Sequence, residues 1–114
     1  MLKPFVPNKL WEVGVYMQVE WKKLEEQPNY SVSNIGQVRN DRNYYLLKHS
    51  IGGAGYPCVH FHKDGMLQVK NVHKLVMETF IGPCPDGYEV NHKNAIKTDP
   101  RLVNLEYITH RENI

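Results

Sequence analysis

At 114 residues and 13.3 kDa the chain is long enough for one domain, or for two small lobes that share a core. Its 41% apolar and 11% aromatic content excludes a disordered chain. No apolar run approaches the ~18 residues of a membrane span, and an N-terminal stretch broken by Pro4, Pro7, Lys9 and Glu12 has no signal-peptide core. Fourteen Lys plus Arg against twelve Asp plus Glu leave a net +2, too mild to demand a polyanionic partner by itself. Charge is also spread evenly along the chain, with no basic tail, so any polyanion site must be assembled by folding. Two cysteines, Cys58 and Cys84, are too few for a disulfide framework and fit reduced thiols in an intracellular, cytoplasmic setting.

In chain order, residues 1–19 hold two prolines and then Val13–Val19, a mostly apolar stretch that fits an edge strand. Tyr30-Ser31-Val32-Ser33 alternates apolar and polar, Asn34-Ile35-Gly36 is turn chemistry, and Gln37-Val38-Arg39 resumes the alternation, which predicts a short β-hairpin. Tyr44–Lys48 is a further strand candidate, ending at a flexible Gly52-Gly53-Ala54-Gly55. Cys58–His62 and Met66–Lys70 flank Lys63-Asp64-Gly65, whose Asp-Gly signals a second hairpin.

The period changes at Asn71. Val72, Leu75, Val76 and Phe80 follow helical spacing, with Asn71 as N-cap and Gly82-Pro83 as the stop. Tyr88–Asn91 and Leu105–Ile108 then read as strands on either side of a long polar connection. Thr109-His110-Arg111-Glu112 has the form of a capping box, so a helix is expected to begin there. With the chain ending at Ile114, that helix is expected to be barely one turn long.

The last third also carries the chemistry. A His closes its first strand, an Asn opens its second, and another Asn sits on the first turn of the terminal helix. Histidine, with an ordinary pKa of about 6.5, takes a proton from water near neutrality. Asn carbonyl oxygens suit a hard cation such as Mg²⁺. A buried Asn amide carries both donors and acceptors for clamping a loop. Elsewhere, Cys58, His60 and His62 alternate along one strand face, and Cys84 would make four zinc ligands. The paired Cys-x2-Cys spacing of structural zinc sites is missing, so zinc is not expected. His73 lies on the amphipathic helix, where packing or capping is its expected role, and His110 is placed to approach the site beside Asn113.

Five ordered segments resemble the HNH endonucleases of the His-Me finger (ββα-metal) superfamily, in their phage and homing-endonuclease branch. These are Val72-His73-Lys74-Leu75-Val76, Phe80-Ile81-Gly82, Val90-Asn91-His92-Lys93, Asn104-Leu105-Glu106-Tyr107 and Glu112-Asn113. Upstream, Glu20-Trp21-Lys22 with Tyr30–Arg39 is similar to the small N-terminal module that often precedes this nuclease domain. The resemblance covers residues 20–113. It implies an α+β fold in which a small antiparallel β module packs on a ββα-metal nuclease core. The implied organisation is an N-terminal extension at 1–19, a β module with candidate DNA contacts at 20–55, and the HNH nuclease domain at 56–114.

The resemblance also assigns roles. His92 is the expected general base, Asn91 and Asn113 the protein ligands of one divalent ion (Mg²⁺ or Mn²⁺), and Asn104 the loop-structuring residue. Arg39, Lys93, Lys97 and Arg111 are candidate DNA contacts. The implied activity is metal-dependent hydrolysis of double-stranded DNA by nicking, which leaves 5′-phosphate and 3′-hydroxyl ends inside a bacterial host of a phage. A double-strand break would require two sites, hence a homodimer. The other reading is a DNA-binding module that keeps the HNH fold without catalysis. Because Asn91 and Asn113 are both neutral, weak metal binding is expected in the absence of DNA.

Overall fold

The computed structural model describes residues 18–113. The expected strand at Val13–Val19 therefore lies almost wholly outside the described residues, and its last two residues to be described, Gln18 and Val19, are exposed and belong to no strand. The fold is α+β, and among the described residues three small antiparallel sheets gather around one helix.

The first sheet contains β1 (Trp21–Lys23), β2 (Tyr30–Ser33) and β3 (Val38–Asn40) in that order. Val32 and Val38, directly opposite one another on β2 and β3, are fully buried and anchor the register. The sequence pattern predicts the β2–β3 hairpin and gives no separate signal for β1, which pairs Trp21 with Ser33. The second sheet contains β4 (Ser50–Ile51), β5 (Pro57–Lys63) and β6 (Met66–Asn71). Asp64 and Gly65 join β5 to β6 with φ of 52° and 77°, the two positive angles of the turn that matches strand twist.

The expected strand at Tyr44–Lys48 does not form. Tyr44 takes φ of 62°, outside the extended range, and the chain curls back so that Asn40 N–H donates to Tyr45 O and Tyr44 N–H to Asn40 O. An isolated bridge between Leu46 and Arg39 and the bond from Leu47 N–H to Val38 O tie this segment to β3.

The helix α1 (Val72–Phe80) begins directly after β6. Asn71 occupies the N-cap position, although its side chain makes no capping hydrogen bond; Gly82, at φ of 132°, follows the helix end. Val72, His73, Leu75, Val76 and Met77 are buried, a face wide enough to touch all three sheets. It meets Leu24, Val32, Val38, Val59, Phe61 and Leu105 in one core. Phe61, with no exposed surface, packs edge-to-face on Tyr30 at 4.8 Å between ring centroids. The third sheet is the hairpin of β7 (Tyr88–His92) and β8 (Leu105–Thr109), and a short 3₁₀ turn at Leu102–Asn104 leads into β8.

Residue 55 does not separate two cores. Strand β4 on one side of it pairs with β5 on the other, and Val32 and Val38 from before it join Val59 and Phe61 from after it in one cluster. The β2–β3 turn also reaches the loop between β7 and β8. A Cβ added at Gly36 would stand 2.5 Å from Pro100 Cγ, and Leu102 N–H donates to Asn34 O at 2.8 Å. No described helix is long and apolar enough to cross a membrane.

Candidate active site

The pleat of the β7–β8 hairpin divides its side chains into two sets, because neighbours along a strand point to opposite faces. Val90, Leu105 and Tyr107 pack on the core, and His92, level with Val90 on the pleat and opposite Leu105 in the register, is buried with them. Glu89 and Asn91 lie on the other face, with Glu106 directly across from Asn91.

On that outer face both candidate metal ligands are held by carboxylates. Asn91 Nδ2 donates to Glu106 Oε2 at 2.8 Å, and Asn113 Nδ2 donates to Glu89 Oε2 at 2.7 Å. His110 Nδ1 lies 2.7 Å from the other oxygen of Glu89. These contacts, His110 first and Asn113 next, hold the Glu89 carboxyl below its ordinary pKa. Each amide thus commits its N–H side to a carboxylate and keeps its carbonyl oxygen turned away, as a hard donor suited to a cation. The pair of amides is neutral, as the sequence suggests, yet two acidic side chains stand directly behind it. Strand alternation sets Glu89 on the face of Asn91, so part of that local charge is legible in the sequence.

Asn113 reaches this face through the chain turn at His110–Asn113. The capping box forms: Thr109 N–H and Oγ1 contact Glu112 Oε1 at 3.1 and 2.8 Å, and Glu112 N–H donates to Thr109 Oγ1 at 3.2 Å. Asn113 N–H donates to Thr109 O at 3.2 Å, one helical hydrogen bond, and the described residues form a turn there instead of a helix.

On the inner face His92 is 7% exposed and joins two other rings. Tyr56 stacks on it at 5.4 Å, and His73 meets it nearly edge-on at 5.0 Å; Tyr56 and His73 are 4.6 Å apart. Burial lowers the His92 pKa, opposed in part by the Asp99 charge, so the ring is neutral near neutrality. Burial, then the neighbouring His92 and Lys74, pushes His73 down to about 4. His92 Nε2 is enclosed without a hydrogen-bond partner, and His73 Nδ1 is in the same position. His73 lies in a family-like stretch where packing or capping is its expected role, and it is buried on the helix; Tyr56 carries no functional signal in the sequence, because a ring that packs on a histidine of another element leaves no local spacing pattern.

Asn104 is buried beneath the loop that joins the strands. Its Oδ1 accepts from Asn94 N–H at 3.0 Å, and its Nδ2 donates to Asn94 Oδ1 at 2.9 Å and to Asp99 O at 3.1 Å. Backbone bonds from Lys93 N–H to Asn104 O and from Ala95 N–H to His92 O close the same loop around the end of β7. Arg101 pairs with Asp99 at 2.7 Å and, as the leading cause, holds that carboxyl down to about 2.

The candidate DNA contacts divide in two. Lys93 and Arg111 are exposed, and among the described residues neither has an ion pair or side-chain hydrogen bond. Lys97 instead donates from Nζ to Ala54 O at 2.9 Å and lies over the Tyr56 ring. Arg39 is half-buried, paired with Asp41 at 3.1 Å and stacked over Trp21 at 4.2 Å. The four zinc candidates do not come together: Cys58 is buried, His60 and His62 are exposed on β5, and Cys84 Sγ contacts Tyr88 O at 3.2 Å. Among the described residues no three His, Cys, Asp or Glu side chains are grouped to hold a metal ion.

Residues 70–114 match a family described as HNH endonuclease, and residues 20–62 match the NUMOD4 motif. The DNA endonuclease I-HmuI of Bacillus phage SP01 is 32% identical over 97 residues, 84% of this chain and 56% of that protein. The H-N-H endonuclease F-TflII of Escherichia phage T5 is 32% identical over 95 residues, 82% of this chain and 49% of that protein. An uncharacterized HNH endonuclease, L245 of Acanthamoeba polyphaga mimivirus, is 36% identical over 97 residues, 85% of this chain and 29% of its own. Among solved structures, one of DNA binding and cleavage by the HNH homing endonuclease I-HmuI superposes with a TM-score of 0.75 at 33% identity, covering 82% of this chain and 55% of that one. The chain therefore spans about half, or less, of the length of these relatives.

Proposed function

From a chain that belongs to the HNH endonucleases, with a NUMOD4 motif ahead of the nuclease domain, we infer an enzyme that nicks double-stranded DNA with the aid of one divalent ion. The observation that carries this reading is the β7–β8 hairpin. It carries a buried, neutral imidazole at the end of β7 on one face and, on the other face, the Asn91 amide held by Glu106 and Glu89, which holds the Asn113 amide.

His92 is the general base. Neutral because burial lowers its pKa, it takes a proton at Nδ1, the nitrogen that is not shut in, from the water that attacks phosphorus. The new bond joins water oxygen to phosphorus, the P–O3′ bond breaks with its electron pair on O3′, and O3′ takes a proton from solvent, leaving a 5′-phosphate and a 3′-hydroxyl. Asn91 and Asn113 fit a hard divalent cation, since both carbonyl oxygens are turned from their carboxylate partners. Mg²⁺ or Mn²⁺ bound there supplies Lewis-acid stabilisation of the charge that develops on phosphate oxygens. Lys93 and Arg111 bind phosphate oxygens beside the site, and Asn104 keeps the loop closed so that His92 stays in place. The viral and phage origin of the relatives supports a phage-encoded protein acting inside a host cell.

Conversion of supercoiled plasmid to open circle tests this, with Mg²⁺ or Mn²⁺ against chelator. Metal-dependent open circle is expected. A gel shift with no conversion under either metal would replace the nuclease by the silent DNA-binding module.

A further inference from the structure

Two of the nitrogen atoms in the inner ring cluster stand out. Among the described residues, His73 Nδ1 and His92 Nε2 are the buried side-chain polar atoms with no hydrogen-bond partner, in an interior where such atoms are otherwise satisfied. They belong to rings whose centroids are 5.0 Å apart and inclined at 62°, both backed by Tyr56. Two imidazoles at that separation are within reach of a single hydrogen-bonded link, made directly after a small ring rotation or through one buried water.

We propose that His73 is a positioning residue for the nuclease base: its Nδ1 accepts the Nε2–H of His92, which fixes the tautomer of His92 and leaves Nδ1 as the lone acceptor for the attacking water. Resting on the nuclease reading above, it adds to it the residue that prepares His92. The direction of the link follows from the chemistry. A neutral imidazole has one donor and one acceptor, and a base must keep its acceptor on the open side. His73, itself neutral, can take the acceptor part. Tyr56, stacked on His92 and tilted against His73, packs on both rings and limits them to small rotations. A mere packing role for His73 would need only an aromatic ring of similar size and no nitrogen.

Long-range ¹H–¹⁵N spectra of the metal-free protein near neutral pH read both tautomers without any nuclease assay. The expected result is a single Nε2–H form of His92 and an unprotonated Nδ1 on His73. A His92 that is Nδ1–H, or an even mixture, overturns the proposal in the wild-type protein alone. His73→Phe keeps the ring contact and removes the nitrogen; mixed tautomers at His92 and a fall of about tenfold or more in nicking kcat are expected, with KM and gel-shift affinity held. His73→Asn, whose amide oxygen replaces Nδ1, is expected to restore the single tautomer and much of the rate. A His73→Phe protein with an unchanged His92 tautomer and a rate within about twofold of wild type refutes the link. If the tautomers are as stated and no variant nicks DNA, the nuclease reading fails and the His73–His92 link stands.

Discussion

Replacing Asn104 with Ala removes three hydrogen bonds from one buried side chain, to Asn94 N–H, Asn94 Oδ1 and Asp99 O. At about 0.5–1.5 kcal/mol net for each bond the range is about 1.5–4.5 kcal/mol. Asn94 is exposed, so water can take up part of what it loses, and the expected cost is about 2–3 kcal/mol. A small domain has about 5–15 kcal/mol in total, so the variant should still fold. Urea unfolding at unchanged slope reads the difference. The loop also carries the backbone bonds that close around His92 and Lys93, so nicking should fall by more than the folded fraction does. Asn104→Asp is a stricter control: it keeps the acceptor for Asn94 N–H but points a carboxylate at Asn94 Oδ1 and Asp99 O, and should cost at least as much. A loss under about 0.5 kcal/mol for Asn104→Ala, or a destabilised variant that nicks at the wild-type rate, refutes the clamp.

Three further outcomes follow from the same geometry. His73 titrates near 6.5 unfolded and about 4 folded, so the unfolded chain binds the proton first as pH falls. Stability should drop by about 2 kcal/mol between about pH 7 and about pH 5, and urea midpoints should show that slope flattened in His73→Phe; an equal slope in both proteins contradicts the buried neutral ring. Gly36→Ala places a Cβ at positive φ and 2.5 Å from Pro100 Cγ, and should cost roughly 2 kcal/mol or more; an unaltered urea midpoint would show that the β2–β3 turn does not brace the loop. Glu106→Ala frees the Asn91 amide from its carboxylate, and calorimetric Mn²⁺ titration of the protein–DNA complex should show about tenfold or more weaker binding, whereas affinity within about twofold of wild type removes Glu106 from the site.

The elements that could be read from sequence are those whose signal is local. The β5–β6 hairpin follows from Asp64-Gly65, the helix from the spacing of Val72, Leu75 and Val76, and the end of β8 from the Thr109–Glu112 capping box. Tyr44–Lys48 looked like a strand because its residues favour extended backbone, but the positive φ at Tyr44 and the closure onto Asn40 are decided by tertiary contacts. Strand β1 is too short to show alternation and exists through its pairing with β2. At the site, Asn91, His92, Asn104 and Asn113 stand out through an order that resembles a known family; the strand pattern alone does not mark them. Glu89, Glu106, Tyr56 and His73 needed pleat, register and packing, which bring residues separated by up to 36 positions into contact.

Catalysis as proposed depends on His92. Single-turnover nicking of supercoiled plasmid by wild type and His92→Ala, at protein concentrations where gel shift shows equal DNA occupancy, tests it most directly. Loss of open circle by a factor of about 100 or more with DNA binding retained is the predicted result. Nicking by His92→Ala within a few-fold of wild type would contradict it.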